Sequence, residues 1–379
     1  MSDYRAVQNG DVAAAFAALT GEGADRLLEM RVVPDAPSSD YNGNTYIDTM
    51  NIEAVDRFIE LTHEEYARRC GDRLGASIRG IFTDEPHRGH ALDNTSTGPD
   101  GTRSCAVFYT DDIFDEFRRR YGYDARPRMP EVFYRLHGRP ISRLRVDYFD
   151  LGCNLFNERF IGRIDDWCTR HNIILTGHVL HENSLSNQAI PNGSLARTYE
   201  NMAWPGVDFL CEDERCYWIA VQCRSVCRQQ GKKWMLSELY GCTGWRSDLR
   251  MYKVIGDWQA LLGVNVRCPH LSWYTMEGQS KRDYPASISY QSPYWRDFAE
   301  LETYFARFGL MMSQGEPLCD TLVLSPIESA WGLAHIGWSE WIFATAADER
   351  ALEQRYADVF NELAGAHLDF DYADEQTLK

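Results

Sequence analysis

Residues 80–86 read Gly-Ile-Phe-Thr-Asp-Glu-Pro, an apolar and β-rich run that stops at two adjacent carboxylates. Pro86 has no backbone N–H to donate, so the pattern predicts a buried strand that finishes at Asp84 and Glu85. Adjacent strand residues project to opposite sides, so one carboxylate can face a cavity while its neighbour approaches from the side. The alternative interpretation is that one of the acids caps the helix that follows.

Similar β-rich runs recur along the chain, separated by helical patterns. We predict strands at residues 45–50, 77–83, 173–179, 207–211, 234–237 and 264–270, and helices at 52–70, 143–171, 216–230 and 251–262. This alternation indicates a parallel sheet. No Gly-x-Gly-x-x-Gly follows an early strand, which disfavours a dinucleotide-binding fold. Polar residues instead collect where strands end, so we predict an α/β fold of the (β/α)8 TIM-barrel type.

Six strands fall short of the eight that such a barrel needs. A helical pattern at 11–30 leads into a short run at 29–33, which is a further candidate strand, and we expect the chain to lack the first one or two barrel strands. Near the other end, strands at 318–325 and 368–372 flank a helix at 348–367. We therefore predict a barrel domain over 1–316 and the beginning of a flavodoxin-like α/β domain over 317–379. The barrel would carry an insertion at about 87–142, with short helices at 111–121 and 130–136.

Composition excludes several classes of partner. The net charge of −17 argues against nucleic acid and against an anionic membrane surface, which both need concentrated Lys and Arg. No apolar run approaches ~20 residues, and Met-Ser-Asp-Tyr-Arg does not open a signal peptide. The 11 cysteines are scattered without zinc-site spacing, so we expect reduced thiols and a cytoplasmic protein. The 11 Trp, 20 Tyr and 17 Phe either fill cores or cover the apolar faces of sugars.

A second predicted strand also ends on an acid. Residues 234–241 read Trp-Met-Leu-Ser-Glu-Leu-Tyr-Gly and contain Glu238. If Glu85 and Glu238 face one another across a barrel mouth, they form the carboxylate pair that glycoside hydrolysis uses, with one as acid and the other as nucleophile or base.

Other residues near strand ends are candidates for substrate binding: Asp84, His178, Asn183, Tyr240, His270, Trp273 and Tyr274. For Trp273, a place in the core is the alternative. His178, His181 and Glu85 could together bind a metal, but the sequence has no His-Glu-x-x-His there, so we predict neither metal nor cofactor.

Several of these motifs resemble those of a known group. Phe-Thr-Asp-Glu-Pro resembles the Asn-Glu-Pro at the end of strand four in clan A glycoside hydrolases, whose Glu is the acid/base. Asp84 stands where that clan has an Asn that contacts the sugar 2-hydroxyl, which departs from the pattern of its retaining members. Ser-Glu-Leu-Tyr-Gly at 237–241 resembles the strand-seven element that carries the second catalytic Glu.

Over residues 45–379 the chain most resembles large multi-domain bacterial hydrolases of the family 106 α-L-rhamnosidase type and their unclassified relatives. Supporting segments are Thr-Gly-His-Val at 176–179 and Pro-His at 269–270, followed by Lys-Arg-Asp-Tyr-Pro at 281–285. Val-Leu-Ser-Pro-Ile at 323–327 resembles the start of the α/β domain after the barrel in those proteins and in family 42 β-galactosidases. The resemblance implies that the chain is part of a longer protein.

The sequence thus predicts a glycosidase in which Glu85 is the general acid and Glu238 the nucleophile or general base. Plant-derived or bacterial oligosaccharides are the expected substrates. The alternatives are a catalytically inactive barrel fragment or sugar-binding module, and a metal-dependent TIM-barrel hydrolase. Besides the carbohydrate, the expected partner is a second copy of the chain or the remainder of a longer one.

Overall fold

The computed structural model describes residues 28–99, 101, 103–211, 216–270, 275, 277 and 288–378. Its centre is a parallel sheet of five strands, hydrogen-bonded in chain order: Gly80–Thr83, Ile174–Gly177, Trp204–Phe209, Leu236–Leu239 and Val266–Pro269. The sheet curls into half of a barrel, which confirms a partial TIM-type barrel. The complete eight-stranded barrel stays a prediction.

Helices connect the strands and cover the outside of the sheet. The predicted helix at 143–171 is continuous but contains a short π-helical segment. The helices of this layer are Arg143–Phe156, Gly162–Arg170, Leu185–Ala189, Leu195–Tyr199, Trp218–Gln229, Leu249–Leu261 and Phe298–Met312, and the π segment is Asn157–Ile161. Within the described residues, no helix has the length and apolarity needed to cross a membrane.

Local sequence sets several helix starts. The Asn51 side chain accepts the N–H of Ala54 (3.1 Å), which makes Asn51 the N-cap of the helix Ile52–Leu61. The pattern at 52–70 forms two helices, Ile52–Leu61 and His63–Cys70, rather than one. The side chain of Asp248 likewise caps Leu249–Leu261 by accepting the N–H of Met251 (2.9 Å). Side-chain oxygens at these positions satisfy N–H groups that have no partner inside the helix.

Two predicted strands are wrong. Residues 29–33 are exposed and form no strand, and residues 45–50 form none either. In the second segment, side-chain contacts replace the strand ladder. Tyr46 stacks on the ring of His87 (4.2 Å between centroids), and its hydroxyl accepts the N–H of His87 (3.3 Å). Residues 1–27, which include most of the predicted helix at 11–30, lie outside the described residues.

The segment after the first strand contains the two expected helices, at Ile113–Tyr121 and Pro130–Phe133. It also contains a small hairpin in which Ser96–Thr97 pairs with Arg103–Ser104. This long connection lies at the carboxyl end of the first strand, where loops of a parallel barrel surround the active site.

The C-terminal segment adds a second, two-stranded parallel sheet. Leu322–Leu324 pairs with Asp371–Ala373, and the elements between them are Ile327–Leu333, Ser339–Glu340, Phe343–Ala344 and Ala347–Gly365. This segment docks on the helix Trp218–Gln229, where the Ser225 hydroxyl accepts the N–H of Tyr372 (2.8 Å). One hydrophobic cluster contains residues from both the barrel and this segment. The domain boundary at 316/317 stays a prediction.

Candidate active site

The site is built around His178, which follows the second strand of the sheet. Its Nε2 lies 3.0 Å from Oε2 of Glu238 and 3.2 Å from Oδ1 of Asp84. These three residues come from the carboxyl ends of the second, fourth and first strands, which a parallel sheet brings to one edge. The imidazole of His178 is 1% exposed, whereas the side chain of Asp84 is 72% exposed. The His178 side of the cluster is therefore buried, and the Asp84 side is open to solvent.

Gly177 allows the first two strands to approach closely beside His178. Its φ is +128°, and a Cβ atom there would lie 2.0 Å from the carbonyl oxygen of Thr83. The same carbonyl accepts the backbone N–H of His178 (3.2 Å). Only glycine fits this position, and the close contact sets His178 next to Asp84.

The two carboxylates determine the charge of His178. Burial alone lowers the pKa of this imidazole, but hydrogen bonds to Asp84 and Glu238 outweigh it and raise the pKa to about 11. The hydrogen bond from His178 in turn lowers the pKa of Asp84 against the effect of burial. At neutral pH the site therefore holds an imidazolium whose Nε2–H is shared between two carboxylates.

Glu85 has an unusual backbone and a raised pKa. Its φ is +51°, a region that residues other than glycine rarely adopt and that is often found at functional sites. Burial of the carboxyl group raises the pKa of Glu85, and His178 opposes the shift while Asp84 and Glu238 reinforce it by repulsion. A raised carboxyl pKa is the direction of shift that a general acid requires.

Two acids that the sequence analysis missed lie behind this cluster. Asp208 is the register partner of Glu238 on the adjacent strand, and burial raises its pKa to about 8. Glu182 accepts the hydroxyl of Tyr199 (2.7 Å) and the N–H of Asp208 (2.9 Å), and burial raises its pKa to about 7. For Asp208, the available signal was an ionisable residue inside the predicted buried strand 207–211.

The other predicted residues divide into three groups. His270 joins the site, with its Nε2 3.8 Å from Oε1 of Glu238. Asn183 lies in the loop after the second strand, where its backbone carbonyl accepts the indole N–H of Trp218 (2.7 Å). Trp273 and Tyr274 lie outside the described residues.

The placement of Tyr240 corrects a prediction. Its side chain is fully buried, and its hydroxyl donates to the carbonyl of Tyr252 (3.1 Å) and accepts from Arg267 (2.7 Å). Strand alternation predicts that Tyr240 faces the same side as Glu238. The chain instead turns at Tyr240, where φ is +78°, and the ring packs in a hydrophobic cluster. No face of Tyr240 is open to a substrate.

Two overlapping sets of side chains have a metal-compatible arrangement in the part of the chain that the structure describes. The donor atoms of Asp84, His178 and Glu238 lie within 4.8 Å of one another, and so do those of Glu85, His178 and Asp208. His181, which the metal hypothesis includes, belongs to neither set. Because the Nε2 proton of His178 already binds two carboxylates, a divalent ion would have to displace it.

Comparisons with known proteins identify the fold. No family model and no curated protein matches the chain. Among solved structures, a rhamnosidase from Novosphingobium sp. PP1Y matches with a TM-score of 0.57 and 16% identity over 87% of this chain. A family 42 β-galactosidase from G. stearothermophilus matches with a TM-score of 0.56 and 12% identity over 86% of this chain. The fold is therefore similar to that of these two glycoside hydrolases.

The clan A resemblance inferred from the sequence is thus confirmed at the level of the fold. The chain spans 29% of the length of the rhamnosidase and 50% of that of the β-galactosidase. In a clan A fold the carboxyl ends of the strands form the active-site face. The cluster around His178 lies at that position.

Proposed function

We propose that this chain is a glycoside hydrolase in which Glu85 is the general acid and Glu238 the nucleophile or general base. One observation carries the proposal: carboxylates from two strand ends surround a buried, charged His178, and Glu85 among them has a raised pKa. Two carboxyl groups with different environments are the requirement for cleaving a glycosidic bond.

Glu85 would protonate the oxygen of the leaving group. Burial of the carboxyl group and repulsion by the neighbouring acids raise its pKa, which favours the protonated form that donates to the leaving group. A carboxylate oxygen of Glu85 lies within 4.8 Å of ring and carboxylate donor atoms of His178 and Asp208, at the carboxyl end of the sheet.

Glu238 would act on the anomeric carbon or on a water. His178 donates its Nε2–H to Oε2 of Glu238, so this oxygen is held in place. The second oxygen, Oε1, lies on the side of His270 and is the one that can attack or accept a proton from water. Here His178 is a positioning residue that orients the carboxylate.

Asp84 gives the site an acceptor where the clan has an amide. The hydrogen bond from His178 lowers the pKa of Asp84, so its largely exposed carboxylate is charged at neutral pH. A carboxylate accepts hydrogen bonds and donates none. A sugar hydroxyl bound at this position would therefore donate its hydrogen bond to Asp84.

The test is turnover of aryl glycosides by Glu85→Gln and Glu238→Gln. The panel should include aryl α-L-rhamnosides and β-D-galactosides, because the similar structures are a rhamnosidase and a β-galactosidase. We expect each variant to lose about a thousandfold or more in rate. Glu300→Gln, at an exposed position on the helix Phe298–Met312, is the matched control and should retain full activity. Unchanged turnover in either site variant would dismiss the role of that residue.

Leaving-group dependence separates the two roles. A dinitrophenyl leaving group departs without protonation, so Glu85→Gln should retain far more of its rate on dinitrophenyl than on alkyl glycosides. Glu238→Gln should lose comparable activity on both. Equal losses for Glu85→Gln on both substrates would contradict an acid role.

Metal-dependent hydrolysis is a second candidate, since the donor atoms around His178 have a metal-compatible spacing. It predicts that chelation abolishes turnover and that a divalent ion restores it. The two-carboxylate proposal predicts that dialysis against EDTA leaves turnover unchanged. If the protein is instead a sugar-binding module without activity, the wild type should bind oligosaccharides but show no turnover, and neither Glu85→Gln nor Glu238→Gln should change the rate.

A further inference from the structure

A strained hairpin in the C-terminal segment presents two aromatic side chains to solvent. Strands Ser339–Glu340 and Phe343–Ala344 are joined by Trp341 and Ile342. Both connecting residues have positive φ, +51° and +65°. Two-residue hairpin turns of this kind normally contain Asn-Gly or Asp-Gly, because bulky and β-branched residues are strained there.

The strain is maintained by a loop from the active-site face. Asn94 accepts the N–H of Trp341 through its side-chain oxygen (2.8 Å). Asp93 accepts both the N–H of Ile342 (3.1 Å) and the hydroxyl of Ser339 (3.0 Å). A backbone conformation that is fixed from outside in this way is a reason to look for a function.

Packing explains why Ile342 is apolar but does not explain Trp341. Ile342 is partly buried against the hydrophobic core, which accounts for an apolar side chain at that position. Trp341 is 74% exposed and Phe343 is 66% exposed. Neither exposed ring contributes substantially to burying apolar surface in this chain, although exposed Trp and Phe are disfavoured on a soluble surface.

The hairpin is bonded to loops at the carboxyl end of the sheet, which also carry residues of the carboxylate cluster. The loop that holds it begins directly after Glu85 and reaches Asp93 within eight residues. In that loop, Nδ1 of His90 lies 3.8 Å from Asp93. The ring of His90 also contacts the ring of His181 (6.3 Å between centroids), which belongs to the loop after the second strand. The hairpin is therefore attached to the same carboxyl-end loops that carry Glu85 and His178.

We propose that Trp341 and Phe343 form a stacking surface for a sugar unit of an oligosaccharide, away from the bond that is cleaved. The inference rests on the proposed function and specifies its substrate as a chain of sugars rather than a small glycoside. Flat rings cover the apolar faces of neutral sugars. The net charge of −17 disfavours a polyanionic glycan as the occupant.

The experiment compares kcat and KM for Trp341→Asn on an aryl monosaccharide glycoside and on the tri- to hexasaccharides of the same sugar. Asn tolerates positive φ, so this variant should fold and melt at or above the wild-type temperature. We expect about a tenfold loss in kcat/KM on the oligosaccharides, through KM, and a change below about twofold on the monosaccharide glycoside. Phe343→Ser should have the same selective effect, and Trp341→Tyr should restore most of the loss.

Tyr66→Asn provides the matched control, because Tyr66 is an aromatic residue that is 58% exposed on the outer helix His63–Cys70. Tyr66→Asn should leave kcat/KM unchanged on both the aryl monosaccharide glycoside and the oligosaccharides. Equal losses on both substrates for Trp341→Asn, or no loss on either, would overturn the inference. So would a wild-type dimer in light scattering that becomes monomeric in Trp341→Asn, because the rings would then form an interface between copies.

Failure of the proposed function is distinguishable from failure of this inference. If the wild type cleaves no glycoside, the affinity of the same tri- to hexasaccharides, measured calorimetrically, tests the surface independently of catalysis. Affinity that rises with chain length in the wild type and not in Trp341→Asn would support the surface. Affinity that is equal in the two proteins would exclude it.

Discussion

Two buried cations in this molecule are surrounded by carboxylates, and they differ in how fully their charges are matched. His178 at the sheet edge shares one Nε2–H between Asp84 and Glu238. Arg197, on the helix Leu195–Tyr199, uses three nitrogens to bind three different carboxylates.

Each of the three guanidinium nitrogens of Arg197 has a carboxylate partner. Its guanidinium binds Asp150 (2.6 Å), Glu328 (2.9 Å) and Asp374 (2.8 Å), and it also lies over the ring of Trp331. Burial lowers the pKa of Arg197, but the surrounding acids raise it further, so its charge is permanent. Two of these carboxylates belong to the C-terminal segment, and the network therefore joins that segment to the barrel.

At His178, by contrast, a single Nε2–H serves two carboxylates, and the further acids nearby have no cation of their own bound to them among the described residues. Nearby Asp208 and Glu85 keep raised pKa values, and one side of the cluster is open to solvent through Asp84. Groups whose protonation states are shifted toward neutral pH can exchange protons with a substrate, whereas a permanent ion pair cannot. The comparison suggests that one cluster serves chemistry and the other stability.

The largest expected effect comes from His178→Gln. The variant removes the cation between Asp84 and Glu238, so the orientation of Glu238 is lost, and we expect at least about a thousandfold loss in kcat/KM. Because His178 is buried and paired with two carboxylates, the variant should also lose stability, so its activity is measured per folded molecule well below its unfolding transition. Thermal unfolding locates that transition and a steady-state assay measures the rate, and a kcat/KM per folded molecule near wild type would contradict the positioning role.

Arg197→Gln should lose stability without losing activity per folded molecule. It leaves three carboxylates without their cation, and loss of one partner from a buried ion pair costs about 3–5 kcal/mol. We expect the free energy of unfolding to fall by this order while kcat per folded molecule remains near wild type. Denaturant unfolding and active-site titration measure the two quantities, and Arg197→Lys should recover part of the loss.

The pH dependence of stability distinguishes the clusters further. The pKa of Asp208 rises from 3.8 to about 8 on folding, so the folded state keeps a proton that the unfolded chain loses between these values. The wild type therefore loses stability from this group as the pH rises through that window. Asp208→Asn does not titrate there, so its free energy of unfolding relative to wild type should increase by at least about 1 kcal/mol between pH 5 and pH 8.5. A constant difference across this range would contradict the assignment.

Asp84→Asn restores the residue that the clan normally has and should have the smallest effect. One of the two carboxylates that raise the pKa of His178 is replaced by a neutral amide, so this pKa should fall. We expect about a tenfold decrease in kcat/KM, since Glu238 still holds the imidazole. Comparison with the conservative Asp84→Glu measures how much of the change is due to charge. Activity above wild type in Asp84→Asn would contradict the role of the second carboxylate.

Much of the fold was predictable because buried parallel strands appear as continuous apolar runs. All five strands of the sheet fall within or beside predicted runs, with boundaries shifted by a few residues. The run at 45–50 is also rich in β-forming residues but is held by the contact of Tyr46 with His87 instead of a ladder. Composition alone does not distinguish these two ways of burying an aromatic residue.

The site was predictable where an acid ends a strand and was missed where an acid lies within one. Glu85, His178, Glu238 and His270 follow the strand-end pattern, and the structure brings the last three into contact with one another or with Asp84. The contribution of Asp208 depends on register between neighbouring strands, which single-strand patterns do not contain.

The central claim is that His178 carries a proton between Asp84 and Glu238 throughout the working pH range. Its most direct test is titration of the His178 imidazole by NMR in the wild type and in Glu238→Gln. We predict that His178 stays charged from pH 6 to above pH 9 in the wild type, with a pKa of about 11, and that this pKa falls in the variant. A His178 that titrates in the ordinary histidine range, with the same midpoint in both proteins, would contradict the account.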